Sequence, residues 1–306
     1  MTITAEAKPT IAWLGLGIMG QAMAANLLKS GHFAQLLVWN RSADKCDALV
    51  AAGAVAVGSP AEAVARADIV FGMLSDPKAA LEVALGKDGV VSAIQPGKAY
   101  VDMSTVDEET STQIAAAVRA AGGRFLEGPV SGSKKPAIDG QLIILAAGDE
   151  SLFKDCAAAF DVMGKRSLFL GDVGAGARMK LVVNGTMGAI MTAFAEGMAL
   201  ADKSGLQQSD LLEVLGLGAM ASPMIALKGP ALVSRSYPPA FKLVSQQKDM
   251  RLVLALGDAL DQPLPVMAAA NEQFKKAKAL GLGESDFAAV YEAAVHGAGG
   301  GSGGQA

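Results

Sequence analysis

Six residues near the start of the chain, Gly15-Leu16-Gly17-Ile18-Met19-Gly20, have the types and spacing of a phosphate-binding turn. An apolar run, Ile11–Leu14, enters it, and a helical pattern through Met23, Leu27 and Leu28 leaves it. That strand–turn–helix setting gives the glycine pattern its meaning. The first glycine permits a tight turn, the second lets a pyrophosphate approach the backbone, and the third lets helix pack on strand. The free N–H groups and positive end of the new helix then face the phosphates. A Gly-rich turn without a ligand is the plainer alternative, and strand, glycines and helix in register argue against it.

A site for NAD ordinarily carries Asp or Glu about 20 residues further on, bonded to the ribose 2′-OH. Here the second strand, Leu36–Trp39, ends in Asn40-Arg41-Ser42 and offers no carboxylate. A guanidinium fork and a hydroxyl suit a 2′-phosphate, so the cofactor expected is NADPH/NADP. A solvated surface arginine after a strand is the alternative.

A dinucleotide site implies hydride transfer, and reducing a carbonyl needs a proton donor for the developing alkoxide. The histidines are His32, beside the first helix, and His296, near the tail, neither well placed for that role. None of Tyr100, Tyr237 and Tyr291 has a lysine four residues later, and no zinc spacing is visible. Lysine remains. Lys180 follows Gly174-Ala-Gly-Ala-Arg-Met at the expected domain junction, and Asn184 lies four residues on, hence on the same helix face. An ammonium can protonate the alkoxide while an amide orients the substrate's oxygens. An unperturbed lysine titrates near about 10.4, so it is charged at neutral pH and suits reduction. An exposed lysine near a helix start is the alternative. A third constellation, Gly128-Pro-Val-Ser-Gly-Ser-Lys-Lys-Pro-Ala137, can present the amides around Ser131 and Gly132 to a carboxylate, or be an ordinary loop. For Asp102-Met-Ser-Thr105 the plainer alternative is a cap on the helix starting near residue 107, with Ser104 or Thr105 as the N-cap.

These residues need a scaffold, and the chain alternates strand and helix up to about residue 170. Ala54–Val57, Ile69–Leu74, Ala99–Asp102, Arg124–Glu127, Leu142–Ala146 and Ser167–Leu170 read as strands, with helices near 59–63, 107–121 and 150–161. The end of the Ile69–Leu74 strand, at Leu74 and Ser75-Asp76-Pro77, lies where a cofactor would. The pattern predicts an α/β, Rossmann-type, doubly wound parallel sheet. From residue 171 the strand signals stop. A proline-free helical pattern over 175–204 predicts a helix roughly 45 Å long that leaves one domain for the next. Gly185, Gly188 and Gly197 within it predict close backbone packing. Further helices are expected near 208–217, 243–260, 265–280 and 286–295. The domains expected are a nucleotide-binding domain over 1–174, an all-helical substrate and oligomerisation domain over 175–295, and a disordered Gly-rich tail over 296–306.

Composition narrows the class. A net charge of −4 without a basic block argues against nucleic acid, and no apolar stretch reaches membrane-spanning length. Residues 1–9 carry an acid and no apolar run, unlike a signal peptide. Cys46 and Cys156, distant in sequence, fit a reducing compartment. A cytoplasmic location is expected, an organellar form after processing being equally compatible.

The separated motifs together resemble the β-hydroxyacid dehydrogenase family, over roughly residues 10–295. They are Gly-Leu-Gly-Ile-Met-Gly, Asp-Met-Ser-Thr, Gly-Pro-Val-Ser-Gly-Ser, Lys180 with Asn184, and Gln247-Lys248-Asp249. Many members read Lys-x-x-Asn-Asn, whereas Val183 precedes Asn184 here. That form is similar to the branch of glyoxylate and succinic semialdehyde reductases. The resemblance implies Lys180 as general acid, with Ser131, Gly132 and Asn184 holding the substrate carboxylate or carbonyl. It implies Thr105 and Lys248 at the nicotinamide end, Phe241 and Asp249 closing the pocket, and a small aldehyde acid as substrate. A homodimer or homotetramer is expected. The alternatives are a 3-hydroxyisobutyrate-type dehydrogenase, ordinarily using NAD, and a non-catalytic NADPH-binding module.

Overall fold

A computed structural model describes residues 8–296. The tail beyond His296 and the first seven residues, on which two of the expectations above fall, lie outside them. The chain divides into two compact units, one ending at Leu181 and the other beginning at Val182.

Among the described residues, the first unit is built on nine strands. β1 (Thr10–Leu14) pairs in parallel with β2 (Gln35–Trp39) and β4 (Ile69–Gly72), β2 with β3 (Val55–Ala56), β4 with β5 (Ala99–Asp102), and β5 with β6 (Arg124–Glu127). Every second residue of β1 faces the same way, and both faces are apolar. Ile11 and Trp13 pack with Met23 and Leu27 of α1 (Ile18–Ser30). Ala12 and Leu14 pack with Val64 of α3 (Pro60–Arg66), Val83 of α4 (Pro77–Leu85) and Ile114 of α5 (Glu108–Ala120). Helices therefore cover both faces, as a doubly wound sheet requires. The short α2 (Asp47–Ala51) precedes β3.

The sheet is not parallel throughout. β7 (Val130–Ser131) and β6 both pair antiparallel with β8 (Leu142–Gly148), and β9 (Gly164–Phe169) pairs with β8 in parallel. Between β7 and β8 lies only the five-residue α6 (Lys134–Ile138), too short for a parallel crossover. The single helix expected over 150–161 is two, α7 (Glu150–Asp155) and α8 (Ala157–Met163).

α9 (Ala175–Lys203) runs 29 residues and contains the division between units. In the second unit its Met191, Phe194 and Met198 form a core with Leu232 of α11 (Pro223–Ser234), Met250 of α12 (Leu243–Ala259), Phe274 of α13 (Pro265–Ala277) and Tyr291 of α14 (Val290–Val295). α10 (Gln208–Leu217) matches its expected span. The pattern did not predict α11, because Pro223, Gly229 and Pro230 read as breakers. Pro223 instead occupies the first turn, where its missing N–H costs nothing, and Ser222 caps it by accepting from the Ile225 amide at 3.2 Å. A side chain at Gly185 would come within 2.9 Å of Val253, and one at Gly188 within 2.5 Å of Met250 Sδ. Gly197 has nothing within 4 Å, so close packing explains two of the three helix glycines.

Candidate active site

The glycine turn closes around its own backbone. Gly15 has φ +95°, and a Cβ there would collide with the carbonyl oxygen of Met73. A Cβ at Gly20 would collide with the carbonyl oxygen of Gly15. Gly17 differs: it is exposed, with nothing within 4 Å of a built Cβ, and it starts α1 without a side-chain cap. Leu16 is buried, whereas Ile18 and Met19 at the helix start are half-buried. Two tight glycines and one open glycine before an uncapped 13-residue helix fit a pyrophosphate. The residues present therefore fit a dinucleotide.

Asn40 braces this turn: its Oδ1 accepts from the Leu16 amide at 2.9 Å and its Nδ2 donates to the Ser42 carbonyl at 2.9 Å. Its side-chain amide is thus engaged at both ends by protein. Arg41 and Ser42 are exposed beyond it, and no carboxylate among the described residues pairs with Arg41.

Two loops at the ends of β4 and β5 are tied by one hydroxyl. Ser104 Oγ accepts from the Leu74 amide at 2.9 Å, while the Ser104 amide donates to Asp102 Oδ1 at 2.9 Å. Burial pushes the Asp102 carboxyl up, against the lowering effect of Ser104. The plainer capping alternative does not hold. Neither Ser104 nor Thr105 starts α5; Asp107 does, accepting from the Thr110 amide at 2.7 Å. Ser104 is already committed to Leu74, and Asp107 stands immediately before the first helical residue. Thr105 is half-buried in this loop.

Ser131 ends β7, and Gly132 follows with φ +130°, a backbone that an L side chain adopts only with strain. Ser131 is half-buried and Gly132 exposed. Lys180 is buried, only 6 % exposed. Its helix starts on a buried acid that the motif reading passed over. Glu127 accepts from the amides of Gly174 at 2.8 Å, Gly176 at 2.7 Å and Ala177 at 3.3 Å, and from the Ser111 hydroxyl. Burial pushes its carboxyl above the usual range, and these donors offset that only in part. Its place directly before Gly128-Pro129, with two glycines at the helix start, was the available sequence signal.

In the second unit α12 turns a row of polar side chains inward. Asn184 donates from Nδ2 to Asp249 Oδ2 at 2.6 Å, and its backbone carbonyl accepts from Gln246 Nε2 at 2.9 Å. Lys248 Nζ lies 2.9 Å from Asp249 Oδ1, a charge pairing without hydrogen-bond alignment. Asp249 thus fixes which way the Asn184 amide faces. Phe241 is half-buried, its ring centroid 5.7 Å from that of Phe287. Asp286 accepts from the amides of Ala240 and Phe241, each at 3.1 Å, and pairs with buried Lys228 at 2.7 Å. Sequence patterning had no signal for this latch, because its partners are 58 residues apart.

Residues 10–171 match the NAD binding domain of 6-phosphogluconate dehydrogenase, and residues 174–294 match the NAD-binding domain of NADP-dependent 3-hydroxyisobutyrate dehydrogenase. An Arabidopsis thaliana protein named glyoxylate/succinic semialdehyde reductase 1 is 60% identical over 283 residues, 92% of this chain and 97% of that one. The chain belongs to the β-hydroxyacid dehydrogenase family. Like other members it is an oxidoreductase with a nicotinamide dinucleotide site, and its resemblance is to the glyoxylate/succinic semialdehyde reductase branch. A Salmonella typhimurium 3-hydroxyisobutyrate dehydrogenase structure superposes with a TM-score of 0.84 at 28% identity, covering 92% of this chain and 99% of that one. The Homo sapiens cytokine-like nuclear factor N-PAC is 49% identical over 94% of this chain, which spans 51% of that protein.

Proposed function

We propose that this family member is an NADPH-dependent reductase of small aldehyde acids, converting glyoxylate to glycolate and succinic semialdehyde to 4-hydroxybutyrate. The observation that carries the reading is the buried Lys180 on α9, one helical turn before an Asn184 whose amide is held by Asp249. The 60% identity to the Arabidopsis reductase supports the choice of substrates. The exposed Arg41-Ser42 pair, with no acid at the end of β2, supports NADPH over NADH.

The first unit takes the role of nucleotide-binding domain and the second that of substrate and assembly domain. The bound cofactor supplies the hydride to the aldehyde carbon. The turn from Gly15 to Gly20 would hold the pyrophosphate, and the family resemblance gives Leu74 and Thr105 of the first unit and Lys248 of the second cofactor-binding roles. In the first unit the amides around Ser131 and Gly132 would hold the substrate carboxylate; in the second, Asn184 would orient the substrate's oxygens, and the family resemblance gives Phe241 and Asp249 substrate-binding roles. Lys180 gives its proton to the carbonyl oxygen as the C–H bond forms, so that oxygen leaves as a hydroxyl and not as an alkoxide. A buried ammonium at that oxygen stabilises the developing negative charge more strongly than water would.

The test is NADPH oxidation followed by absorbance, with each aldehyde and again with NADH. Turnover of both aldehydes with NADPH and little with NADH supports the reading. One competing reading is a dehydrogenase fold used for NADPH binding without catalysis; it is favoured by the 49% identity to N-PAC, whose name, cytokine-like nuclear factor, states no enzymatic activity. NADPH binding without turnover of either aldehyde would overturn the choice of substrates and move the function to a different substrate, such as 3-hydroxyisobutyrate, or to that binding module.

A further inference from the structure

The charge that starts α9 is not on α9. A helix leaves its first four N–H groups without internal partners, and a carboxylate there also meets the positive end of the dipole. Glu127 supplies it from the end of β6, with three amides of residues 174–177 converging on Oε1 while Ser111 of α5 holds Oε2. The acid is 2 % exposed. The packing there leaves little room for a shift. A Cβ at Gly176 would collide with the Leu145 carbonyl oxygen, and one at Gly174, φ +99°, would come within 2.8 Å of Glu108 Oε1. Arg178, on the next turn, is ion-paired with that same Glu108. Lys180 sits four residues past Gly176, about 6 Å along the axis. The chain leaving Glu127 in the other direction, Gly128-Pro129-Val130, leads to Ser131 and Gly132.

We infer that Glu127 is a positioning residue for Lys180, setting the height and rotation of the α9 turn that bears the lysine against the loop that bears Ser131 and Gly132. The inference rests on the reading of Lys180 as proton donor. It differs from a purely structural role, because it makes the effect of Glu127 on turnover pass through Lys180.

The experiment is a cycle of Glu127→Met and Lys180→Ala, singly and together, with activity expressed per NADPH-binding site titrated by fluorescence. Methionine keeps the length and apolar volume of the side chain and removes the acceptor. Glu127→Met is expected to lower kcat by ~10–10²-fold, the scale of a misplaced reacting group, while NADPH affinity stays put. In the Lys180→Ala background the same change lowers the residual rate by less than about twofold, since groups acting as a unit are not additive. Glu127→Gln, whose carbonyl can still accept from the α9 amides, keeps kcat within about threefold of the parent. Should the methionine variant fail to fold, Glu127→Asp, which draws the carboxylate back by one methylene, takes its place with the same expected pattern. Multiplying losses in the double variant, or equal losses in the Gln and Met variants, overturn the inference and leave Lys180 standing. Full activity of Lys180→Ala alone overturns the reading of the lysine and the inference with it.

Discussion

On the proposed reading, Lys180 and Arg41 divide the chemistry between proton delivery and choice of cofactor. Replacing Lys180 by alanine removes the proton donor, so kcat should fall by ~10²–10⁴-fold with NADPH affinity kept, as read by stopped-flow turnover and fluorescence titration. Arg41 is exposed at the end of β2 and acts only if a 2′-phosphate is present. A charge-assisted bond of about 1.5–3 kcal/mol corresponds to roughly 10–150-fold in affinity. Arg41→Ala should therefore weaken NADPH by that factor and leave NADH unchanged. An equal loss with both cofactors would mean that the arginine supports the turn and does not read the phosphate. Asn40 contrasts with its neighbour. Its side chain braces Leu16 and Ser42, so Asn40→Ala should weaken both cofactors alike.

Elements of the second unit are held by two charged clusters with different dependences. Lys228 and Asp286, with side chains 9 % and 4 % exposed, join α11 to the segment before α14, and Asp286 also holds the amides of Ala240, Phe241 and Ala288. Removing one member of a buried pair costs about 3–5 kcal/mol because the other charge is stranded. Asp286→Ala should exceed Lys228→Met in denaturant unfolding, since it strands an ammonium and three amides together. The second cluster is Glu292 of α14, which accepts from Arg235 and from Tyr237 Oη at 2.6 Å. Burial alone would raise its carboxyl, but these bonds outweigh it and hold the group below its ordinary value. The unfolded chain then takes up protons first as pH falls, through about 4.3. The stabilisation is complete above that pH and is lost as pH drops toward the folded value. Thermal midpoints measured across this window should fall more steeply for the parent than for Glu292→Gln.

Across the whole molecule, ligand binding couples the nucleotide site to stability. A cofactor that binds only the folded state adds about 2.7 kcal/mol at one hundred times its dissociation constant. NADPH should raise the thermal midpoint accordingly, NADH at equal concentration much less, and Arg41→Ala should abolish the difference. A midpoint that rises equally with both would remove the basis for NADPH preference.

The glycine turn, the alternation of strands and helices up to β6, the length of α9 and the helix that bears Lys180 and Asn184 were all legible in the amino-acid sequence. Each depends on neighbours within about one element, where hydrophobic period, glycine φ and i,i+4 spacing act directly. The departures have non-local causes. β8 runs antiparallel to β6 because the connection before it is too short for a crossover, and Ser104 does not cap α5 because Leu74, 30 residues earlier, already uses its hydroxyl. α11 escaped notice because propensity marks Pro223, Gly229 and Pro230 as breakers while tertiary packing of Ile225 and Leu232 outweighs it. By itself, then, the sequence determined which residue types stand ready for hydride chemistry and on what kind of element. Tertiary structure alone decided which buried acids hold them there. Glu127 reaches across 47 residues to Gly174, Asp249 across 65 to Asn184, and Asp286 across 58 to Lys228. A buried carboxylate finds its donors through the folded core, and no sequence period records that pairing.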